Sequence, residues 1–511
     1  MKKTFSKLAG VMLVIVLILM GCSSNNGKDE SSPGSPPPSS NGASPSKAEQ
    51  TPPVELVMLF PGAEDAAKDL DLVEEEINKI SVPKINAKIN IMLINAGAWM
   101  QQTTLMLAGN EQMDLMYTNT TEYGYANLVS KGQLTALDDL LASDGQGILA
   151  ALDPIYIDSP RIDGEVYGIP SLKNMASAKG IVMDKELVEQ NGIDYGAIRS
   201  MDDLDAIFAK IKANNPDVTP LVANGSGGSI VKYIYAALFD TLGDNLGVIR
   251  IDDKERKVIN MYESPEYMDL VKRMRGWFEA GYVAKDAATT KESFSGMIRA
   301  GTAFSYFANT KPGTEVEHGT LIGKPVVVGS LYPPTYTKAG SLFTIPKNSK
   351  YPDKAMQFLN LMYTDADIIN LLHYGIEGKH YKHITDKLIG FADGVDATNS
   401  GYNLQAGYML GNQFLANVWE GNEEDVWIQT DEFNKSAIFS PAVGFTYDAE
   451  PVKTEVAAVS NVVNQYAVAL ETGSVDPEKV VPEFIQQMKA AGIDKIVAEK
   501  QKQIDAFFKD K

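Results

Sequence analysis

Apolar segments of strand length alternate with amphipathic helical segments in two separate stretches of the chain. The first stretch begins with the buried strand predicted at residues 54–60, and the second begins with the strand predicted at residues 181–183. Each strand is followed by a helical stripe: Val73, Ile77 and Ile80 in the first stretch, and Leu204, Ile207, Phe208 and Ile211 in the second. Strands that alternate with helices at this spacing are typical of parallel sheets covered by helices. The sequence therefore predicts an α/β fold with two lobes.

The N-terminus has the three parts of a bacterial lipoprotein signal peptide. Lysines at positions 2, 3 and 7 precede an apolar run at residues 8–20, which is too short to span a bilayer. The run ends at Gly21-Cys22, and Cys22 is the only cysteine in the chain. We predict a signal peptide at residues 1–21, lipidation of Cys22, and an extracytoplasmic location on the outer face of the cell membrane. An ordinary secretory signal and an uncleaved membrane anchor are the alternatives.

Residues 22–53 hold the predicted lipidated cysteine and a predicted disordered tether. The tether consists mainly of Ser, Pro, Gly, Asn and Lys, and such a segment buries too little apolar surface to offset its ordering entropy. The rest of the chain has no cysteine, which excludes disulfides, a thiol nucleophile and cysteine-ligated zinc.

The chain is strongly acidic, with a formal net charge of −20 at pH 7. Nucleic-acid binding needs a basic footprint, so we expect no nucleic-acid partner. The acidic residues are spread along the chain, which indicates a soluble, self-repelling surface. We expect contact with the membrane only through the lipid anchor.

The sequence has none of the common catalytic, phosphate-binding or calcium-binding motifs. His380 and His383 form a His-x-x-His pair with His373 nearby, but this spacing alone is a weak sign of a metal site. We predict no catalytic residue, no metal and no cofactor.

The lobe boundaries are predicted from turns and strands. A tight turn at Asp163-Gly164 is interpreted as the first crossing between the lobes. The strand at residues 302–307 is interpreted as a return to the first lobe, and residues 342–345 are interpreted as crossing again to the second lobe. The predicted lobe I is 54–168 plus 297–340, and the predicted lobe II is 169–296 plus 341–511, with a helical C-terminal extension.

Several short motifs occur in a characteristic order along the chain: Phe60-Pro61-Gly62, then residues 73–80, 163–170, 374–381, 440–445 and 491–506. In this order they resemble the extracellular solute-binding proteins of family 1, the sugar-binding group of ABC importers. Within that family the chain is similar to the LplA-type lipoprotein branch with an extended C-terminal lobe. Members of the family often carry an aromatic pair where this chain has Met58-Leu59.

The resemblance implies a two-lobe, periplasmic-binding-protein-like fold with a ligand cleft between the lobes and hinge crossovers. It implies a monomer that captures a small molecule, an oligosaccharide, and delivers it to the transmembrane subunits of an ABC permease. The same scaffold also suits a peptide or another polar solute. A secreted glycoside hydrolase and a surface adhesin are further alternatives.

A sugar has an apolar C–H face and a rim of hydroxyl groups, so its site needs aromatic rings and planar polar partners. In α/β lobes such residues come from loops at the carboxyl ends of strands. This rule predicts the following ligand-binding residues: Phe60, Asn119, Tyr123, Tyr125, Tyr167, Lys173, Asn174, Asn224, Ser226, Tyr306, Asn309, Glu377, Tyr381 and Trp419. Trp99 and Trp277 are assigned to the core.

Overall fold

The fold is taken from a computed structural model that describes residues 51–120, 124–224 and 228–509. The predicted signal peptide, Cys22 and the predicted tether up to residue 50 lie outside the described residues. Two predicted ligand-binding residues, Tyr123 and Ser226, lie outside them as well.

Fifteen strands lie within the described residues. They are β1 (Val54–Pro61), β2 (Ala87–Ile94), β3 (Leu115–Asn119), β4 (Ile169–Pro170), β5 (Ser177–Asp184), β6 (Thr219–Val222), β7 (Phe239–Asp240), β8 (Ile249–Arg250), β9 (Ala303–Thr310), β10 (Val326–Tyr336), β11 (Ser341–Thr344), β12 (Tyr381–His383), β13 (Leu388–Phe391), β14 (Val418–Trp419) and β15 (Ile438–Phe439).

Eighteen α-helices lie in the same part of the chain. They are α1 (Leu70–Ile85), α2 (Trp99–Ala108), α3 (Tyr125–Ser130), α4 (Asp138–Asp144), α5 (Gln146–Ala151), α6 (Pro154–Asp158), α7 (Lys185–Gln190), α8 (Asp203–Asn214), α9 (Lys232–Leu238), α10 (Pro265–Glu279), α11 (Phe294–Arg299), α12 (Thr314–Ile322), α13 (Pro352–Thr364), α14 (Ala366–Tyr374), α15 (Val426–Lys435), α16 (Lys453–Glu471), α17 (Pro477–Ala491) and α18 (Ile493–Lys509). None of the helices in the described residues is both long and apolar enough to cross a bilayer.

Lobe I is built on a mixed sheet with the strand order β2-β1-β3-β11-β4. β1 pairs in parallel with β2 and β3, and β11 runs antiparallel to β3. The core of this lobe includes the fully buried rings of Phe60, Trp99, Phe343 and Phe358. These rings come from distant parts of the chain, so the lobe is assembled from two chain segments.

Lobe II is built on a second mixed sheet with the strand order β15-β10-β5-β9-β6. Its main core contains Phe208, Trp277, Phe307 and Phe484. The C-terminal helices α16 and α17 pack against α10 and so complete this lobe. The assignments of Trp99 and Trp277 to cores are therefore confirmed.

Many sequence-predicted elements are confirmed. The strand predicted at 54–60 is β1, and the helical stripes fall on α1 and α8. The Asp163-Gly164 turn joins Ile162 and Glu165 through two backbone hydrogen bonds of 3.0 Å, with φ of 50° and 86° at its centre. Positive φ at both central residues is what a type I′ turn requires.

The predicted lobe assignment of two strands was wrong. Residues 303–310, predicted to return to lobe I, form β9, which pairs with β5 and β6 in the sheet of lobe II. Residues 341–344, predicted to enter lobe II, form β11 in the sheet of lobe I. Both strands are buried apolar runs, and such a run fits the centre of either sheet, so the sequence pattern does not select one.

The connections between the lobes also differ from the prediction. Within the described residues the chain passes between the two cores three times, at residues 171–177, 335–341 and 437–445. The Asp163-Gly164 turn therefore lies inside lobe I, before the first crossing. Helices α13 and α14 also pack in lobe I, so only the chain after the third crossing returns to lobe II.

Candidate ligand-binding site

Three adjoining cavities form one cleft between the lobes. We call them the hinge cavity, the central cavity and the aromatic cavity, and their volumes are about 250, 360 and 390 Å³. The hinge and central cavities share Asn174 and Ser177, and the central and aromatic cavities share Lys311 and Glu317. A continuous cleft of this size suits a ligand of several linked units.

The hinge cavity lies between the first two crossings. Its lining residues are Ser171, Lys173, Asn174, Met175, Ser177, Lys179, Ala236, Thr335, Thr337, Lys338, Ala339, Gly340 and Ser341. Hydrogen bonds fix its walls: the Tyr117 hydroxyl donates to Ser341 Oγ at 3.1 Å, and Ser171 Oγ donates to the Met409 carbonyl at 2.6 Å. A ligand here would touch two of the segments that connect the lobes.

The central cavity is lined mainly by lobe II. Its lining residues are Asn174, Ser177, Asn224, Tyr233, Ala308, Asn309, Thr310, Lys311, Thr314, Glu317 and His318. Asn224 Nδ2 donates to the Phe307 carbonyl at 3.2 Å, which anchors that side chain at the end of β6. Burial lowers the pKa of His318, so at neutral pH its ring is uncharged and able to hydrogen-bond with a hydroxyl group.

The aromatic cavity brings rings of lobe I opposite α12 of lobe II. Trp419, Trp427 and Tyr374 line one side, and Gly313, Val316 and Thr320 line the other. The full set of lining residues is Lys311, Pro312, Gly313, Val316, Glu317, Thr320, Tyr374, Gln405, Gln413, Val418, Trp419, Asn422, Val426 and Trp427.

The rings of the aromatic cavity are held in place by their neighbours. Trp419 packs edge-on against Phe391 with centroids 4.8 Å apart, and Trp427 Nε1 donates to the Ala416 carbonyl at 2.9 Å. The Tyr374 hydroxyl donates to the Asn417 carbonyl at 2.8 Å. Both tryptophans are half-buried, so each keeps an accessible ring surface. Fixed rings of this kind bind the apolar face of a sugar with little loss of side-chain entropy.

One ion pair lies where the central and aromatic cavities meet. Lys311 Nζ is 2.8 Å from Glu317 Oε2. Burial alone would raise the pKa of Glu317, but nearby Lys311 holds it below its usual value. The carboxylate is therefore ionised at neutral pH and available to accept hydrogen bonds from ligand hydroxyl groups.

Five of the predicted ligand-binding residues line the cleft: Lys173, Asn174, Asn224, Asn309 and Trp419. They come from the first crossing, from the carboxyl ends of β6 and β9, and from β14. The rule that ligand contacts follow strand ends therefore placed polar side chains of lobe II at the cleft. Whether these residues bind ligand stays a prediction.

Four other predicted residues are buried in the protein interior, contrary to expectation. They are Phe60, Tyr125, Tyr306 and Tyr381, each no more than 6% exposed. The Tyr125 hydroxyl donates to the Pro160 carbonyl at 2.7 Å, and the Tyr306 hydroxyl lies 2.5 Å from His318 Nδ1. These side chains have no free surface for a ligand. Their apolar bodies serve the core, and the hydroxyl groups of Tyr125 and Tyr306 have partners inside the protein.

Three predicted residues are more accessible but do not line the cleft. They are Asn119, Tyr167 and Glu377. Asn119 is at the end of β3, and Tyr167 packs against the lobe I core. Glu377 lies in an exposed turn before β12.

The sequence reasoning missed several residues that line the cleft: Lys179, Tyr233, Lys311, Glu317, Lys338, Tyr374 and Trp427. Lys179 lies inside β5 and Lys338 in the second crossing, so neither follows the strand ends that were searched. A lysine within an otherwise apolar strand was the available signal for Lys179, because an unpaired charge is rarely buried without a purpose.

The predicted absence of a metal concerns His380, His383 and His373. His380 Nε2 lies 3.0 Å from Asp69 Oδ2, and His383 is exposed. Burial lowers the pKa of His373 to about 4. No group of three or more potential metal-ligating side chains is found among the described residues.

Two lobes joined by three crossings, with a cleft over the hinge, define a protein of the solute-binding class. The family model described as bacterial extracellular solute-binding protein matches residues 72–368, and the chain belongs to this family. The family places the protein outside the cytoplasm. A domain of unknown function, DUF3502, matches residues 441–509, the part that returns to lobe II.

A curated relative from Streptococcus pneumoniae, a carbohydrate ABC transporter substrate-binding protein, is 29% identical over 463 residues, which is 88% of this chain and 90% of the relative. The crystal structure of the N-glycan transport solute-binding protein NgtS from the same species has a TM-score of 0.77 at 27% identity, covering 89% of this chain and 99% of that chain. A human-milk-oligosaccharide-binding protein from Bifidobacterium longum infantis, with a TM-score of 0.63 at 15% identity and coverage of 89% and 99%, shares the fold. The two-lobe α/β fold predicted from the sequence is thus confirmed.

Proposed function

We propose that the protein captures an oligosaccharide in the cleft between its lobes and delivers it to the permease of an ABC importer. The aromatic cavity carries this proposal. Its two tryptophans and Tyr374 offer ring surfaces to the C–H face of a sugar, while Glu317 and Lys311 across the cleft serve the hydroxyl groups. Aromatic rings opposite polar groups form the pattern that a saccharide needs.

The relatives support this assignment. The curated pneumococcal relative is a carbohydrate ABC transporter substrate-binding protein, and NgtS has been crystallised with Man1GlcNAc and with Man5GlcNAc. Because these proteins match nearly the whole of this chain, a carbohydrate ligand and a permease partner are the natural extension to it. The relatives are binding proteins, which favours binding over catalysis here.

Closure of the lobes is part of the proposal. A ligand that contacts both lobes is bound more tightly in a closed form, and this difference in affinity drives closure. The TM-score to NgtS is 0.77 for the structure described without a ligand but 0.65 and 0.61 for the two saccharide complexes, at the same 27% identity. Since NgtS has one sequence, the spread supports different lobe arrangements in that protein.

Thermal unfolding of the purified full-length protein, in mild detergent, tests the ligand class. The panel contains oligosaccharides of several linkages, with tripeptides and pentapeptides as controls. A ligand at 100 times its Kd adds about 2.7 kcal/mol to the free energy of unfolding, which gives a clear rise in Tm. A rise with a saccharide and none with peptides is expected. A rise with peptides alone would replace the oligosaccharide with the peptide alternative, and release of reducing sugar at catalytic protein concentrations would favour a hydrolase.

The lipid anchor is a separate part of the proposal. The supporting pattern is an apolar run that ends at Gly21-Cys22, with no second cysteine in the sequence. We expect Cys22→Ser to move the protein from the membrane fraction to the soluble fraction of the cell, since a diacylglycerol needs the sulfur. Ser23→Ala, one residue away, is the matched control. Retention of the Cys22→Ser variant in membranes after alkaline washing would contradict lipidation.

A further inference from the structure

The lining of the hinge cavity is positively charged, although the protein as a whole is acidic. The chain carries a net charge of −20, yet three lysines line this one cavity: Lys173, Lys179 and Lys338. Among the described residues that line it, none is Asp or Glu. The cavity is therefore a cationic site within a strongly acidic protein.

The three ammonium groups have different surroundings, and none has an ion-pair partner within 4.0 Å in the described part of the chain. Lys179 Nζ donates to Asn309 Oδ1 at 2.9 Å and to Ser177 Oγ at 3.0 Å, so neutral groups hold it in position. Lys173 Nζ lies 5.2 Å from the centre of the Tyr408 ring. The carboxylate that most affects Lys338 is that of Asp240, which is buried and accepts hydrogen bonds from Leu242 N and Ser440 Oγ.

Positive charges with this much burial are unfavourable unless something compensates them. Burial lowers the pKa of Lys179 to about 8. Burial and, to a smaller extent, nearby Lys311 lower the pKa of Lys173 to about 8, while Glu317 acts in the opposite direction. The neighbouring central cavity has no such imbalance, because Lys311 is paired with Glu317 there. Among the described residues, the central cavity therefore pairs its lysine with a carboxylate, whereas the hinge cavity holds three lysines that have no ion-pair partner within 4.0 Å.

We infer that the hinge cavity binds a negatively charged group of the ligand, so that the cargo is an acidic saccharide. A sugar carboxylate is small enough for a cavity of about 250 Å³ and accepts hydrogen bonds from several ammonium groups at once. The half-buried Thr337 also lines the cavity, and its hydroxyl group is placed to contact the sugar rim. This inference rests on the proposed function and narrows its ligand class.

The position of the site adds a role in closure. Lys173 lies in the first crossing and Lys338 in the second, so an anion between them bridges two segments of the hinge. A neutral ligand in the aromatic cavity contacts both lobes but neither of these two crossings. The anion is therefore expected to favour the closed arrangement as well as to add affinity.

Calorimetric titration of the full-length protein with matched saccharides tests the inference. The probes are tetragalacturonate, its methyl ester, which has nearly the same size but no charge, and a neutral galactose tetrasaccharide. Sulfated and phosphorylated galactose tetrasaccharides distinguish a carboxylate from other anions. We expect the free acid to bind at least about 30-fold more tightly than the ester, since loss of one buried charge partner has an effect of this size.

Two lysine variants and a control complete the experiment. Lys338→Met and Lys173→Met are expected to weaken binding of the acidic probe at least about tenfold and to leave the Tm of the free protein nearly unchanged or raised. Lys350→Met alters the net charge equally but changes an exposed lysine outside the cleft.

Equal or tighter binding of the neutral probes, or acidic binding that both cleft variants retain, would overturn the inference and leave the proposed function intact. Tight binding of the sulfated or phosphorylated probe alone would reassign the anion, and failure of every saccharide to bind would overturn both.

Discussion

The two ends of the cleft recognise a ligand by different physical means. Among its described lining residues the aromatic cavity has two tryptophans, one tyrosine and one lysine, Lys311, which is paired with Glu317. The hinge cavity has three lysines and, among its described lining residues, no aromatic ring and no carboxylate. Stacking depends on ring surface and tolerates many sugars, whereas a buried ammonium group depends on the charge of its partner.

Because of this difference, we expect affinity and selectivity to arise at different ends of the cleft. The aromatic end supplies contact area that every saccharide with an exposed C–H face shares. The hinge end discriminates between charged and neutral ligands, because an unpaired lysine there favours an anion over a sugar hydroxyl. The discriminating end also lies at two of the crossings, so selectivity and closure are expected to be coupled.

The largest expected effect comes from removing the aromatic end. Trp419→Ala combined with Trp427→Ala deletes both stacking surfaces while Tyr374 remains. We expect at least about a 100-fold loss of affinity for acidic and neutral saccharides alike, as is typical of buried aromatic anchors. Calorimetry with the probes described above measures the loss.

The control for this double variant is Tyr195→Ala, which removes a ring that is 41% exposed and lies outside the cleft. Circular dichroism checks that the double variant is folded. If its affinity for the neutral probe stays within about threefold of the original, stacking at this end does not contribute and the comparison fails.

The sequence predicted the elements of the fold better than their arrangement. The helices α1 and α8 follow from periodicity alone, because each buries one face, and β1 follows from its apolar run. The exchange of β9 and β11 between the lobes does not follow, since a buried strand has the same pattern in either sheet. Each of these strands belongs to the lobe in which it pairs with a strand more than a hundred residues away. A single sequence does not show which distant strands pair.

The candidate site, too, could be predicted only in part from the sequence. Asn224 was predicted because it follows β6, and Asn309 because it lies at the carboxyl end of β9, where α/β lobes meet the cleft. Trp427 was not placed, because its helix α15 has polar and apolar faces of ordinary appearance. Lys338 lies in a connection between the lobes. It can be recognised as a cleft residue only when the positions of the crossings are known.

An intermediate effect is expected from pH, and it separates the two ends without mutation. Because the pKa values of Lys173 and Lys179 are lowered to about 8, both lysines lose their protons as the pH rises from 7 to 9. A carboxylate ligand stays ionised over this range, so its affinity should fall by about tenfold for each lysine involved. The methyl ester and the neutral saccharide, bound through the aromatic end, should show no such loss.

The free protein should respond in the opposite sense. The unfolded chain keeps its lysine protons up to pH values near 10.5, while the folded protein releases them above about 8. These lysines therefore make the free energy of unfolding increase as the pH rises from about 8 to about 10.5. Lys173→Met combined with Lys179→Met should flatten the pH dependence of acidic binding between pH 7 and 9. A profile that keeps its slope in this variant would place the titrating group elsewhere.

The smallest expected effect concerns Asn309, which positions Lys179 through the 2.9 Å hydrogen bond to Oδ1. Asn309→Ala removes an acceptor from the ammonium group, so the pKa of Lys179 should fall further and acidic binding should weaken by about three- to tenfold. Asn309→Asp puts a carboxylate beside the same lysine, so the pKa should rise while acidic binding again weakens, now because the charge is already paired. NMR titration of labelled lysines measures both shifts.

Opposite pKa changes with the same loss of affinity would show that an uncompensated charge, and not a merely well-packed lysine, distinguishes the hinge end from the aromatic end. Unchanged acidic binding in Asn309→Asp would contradict that distinction.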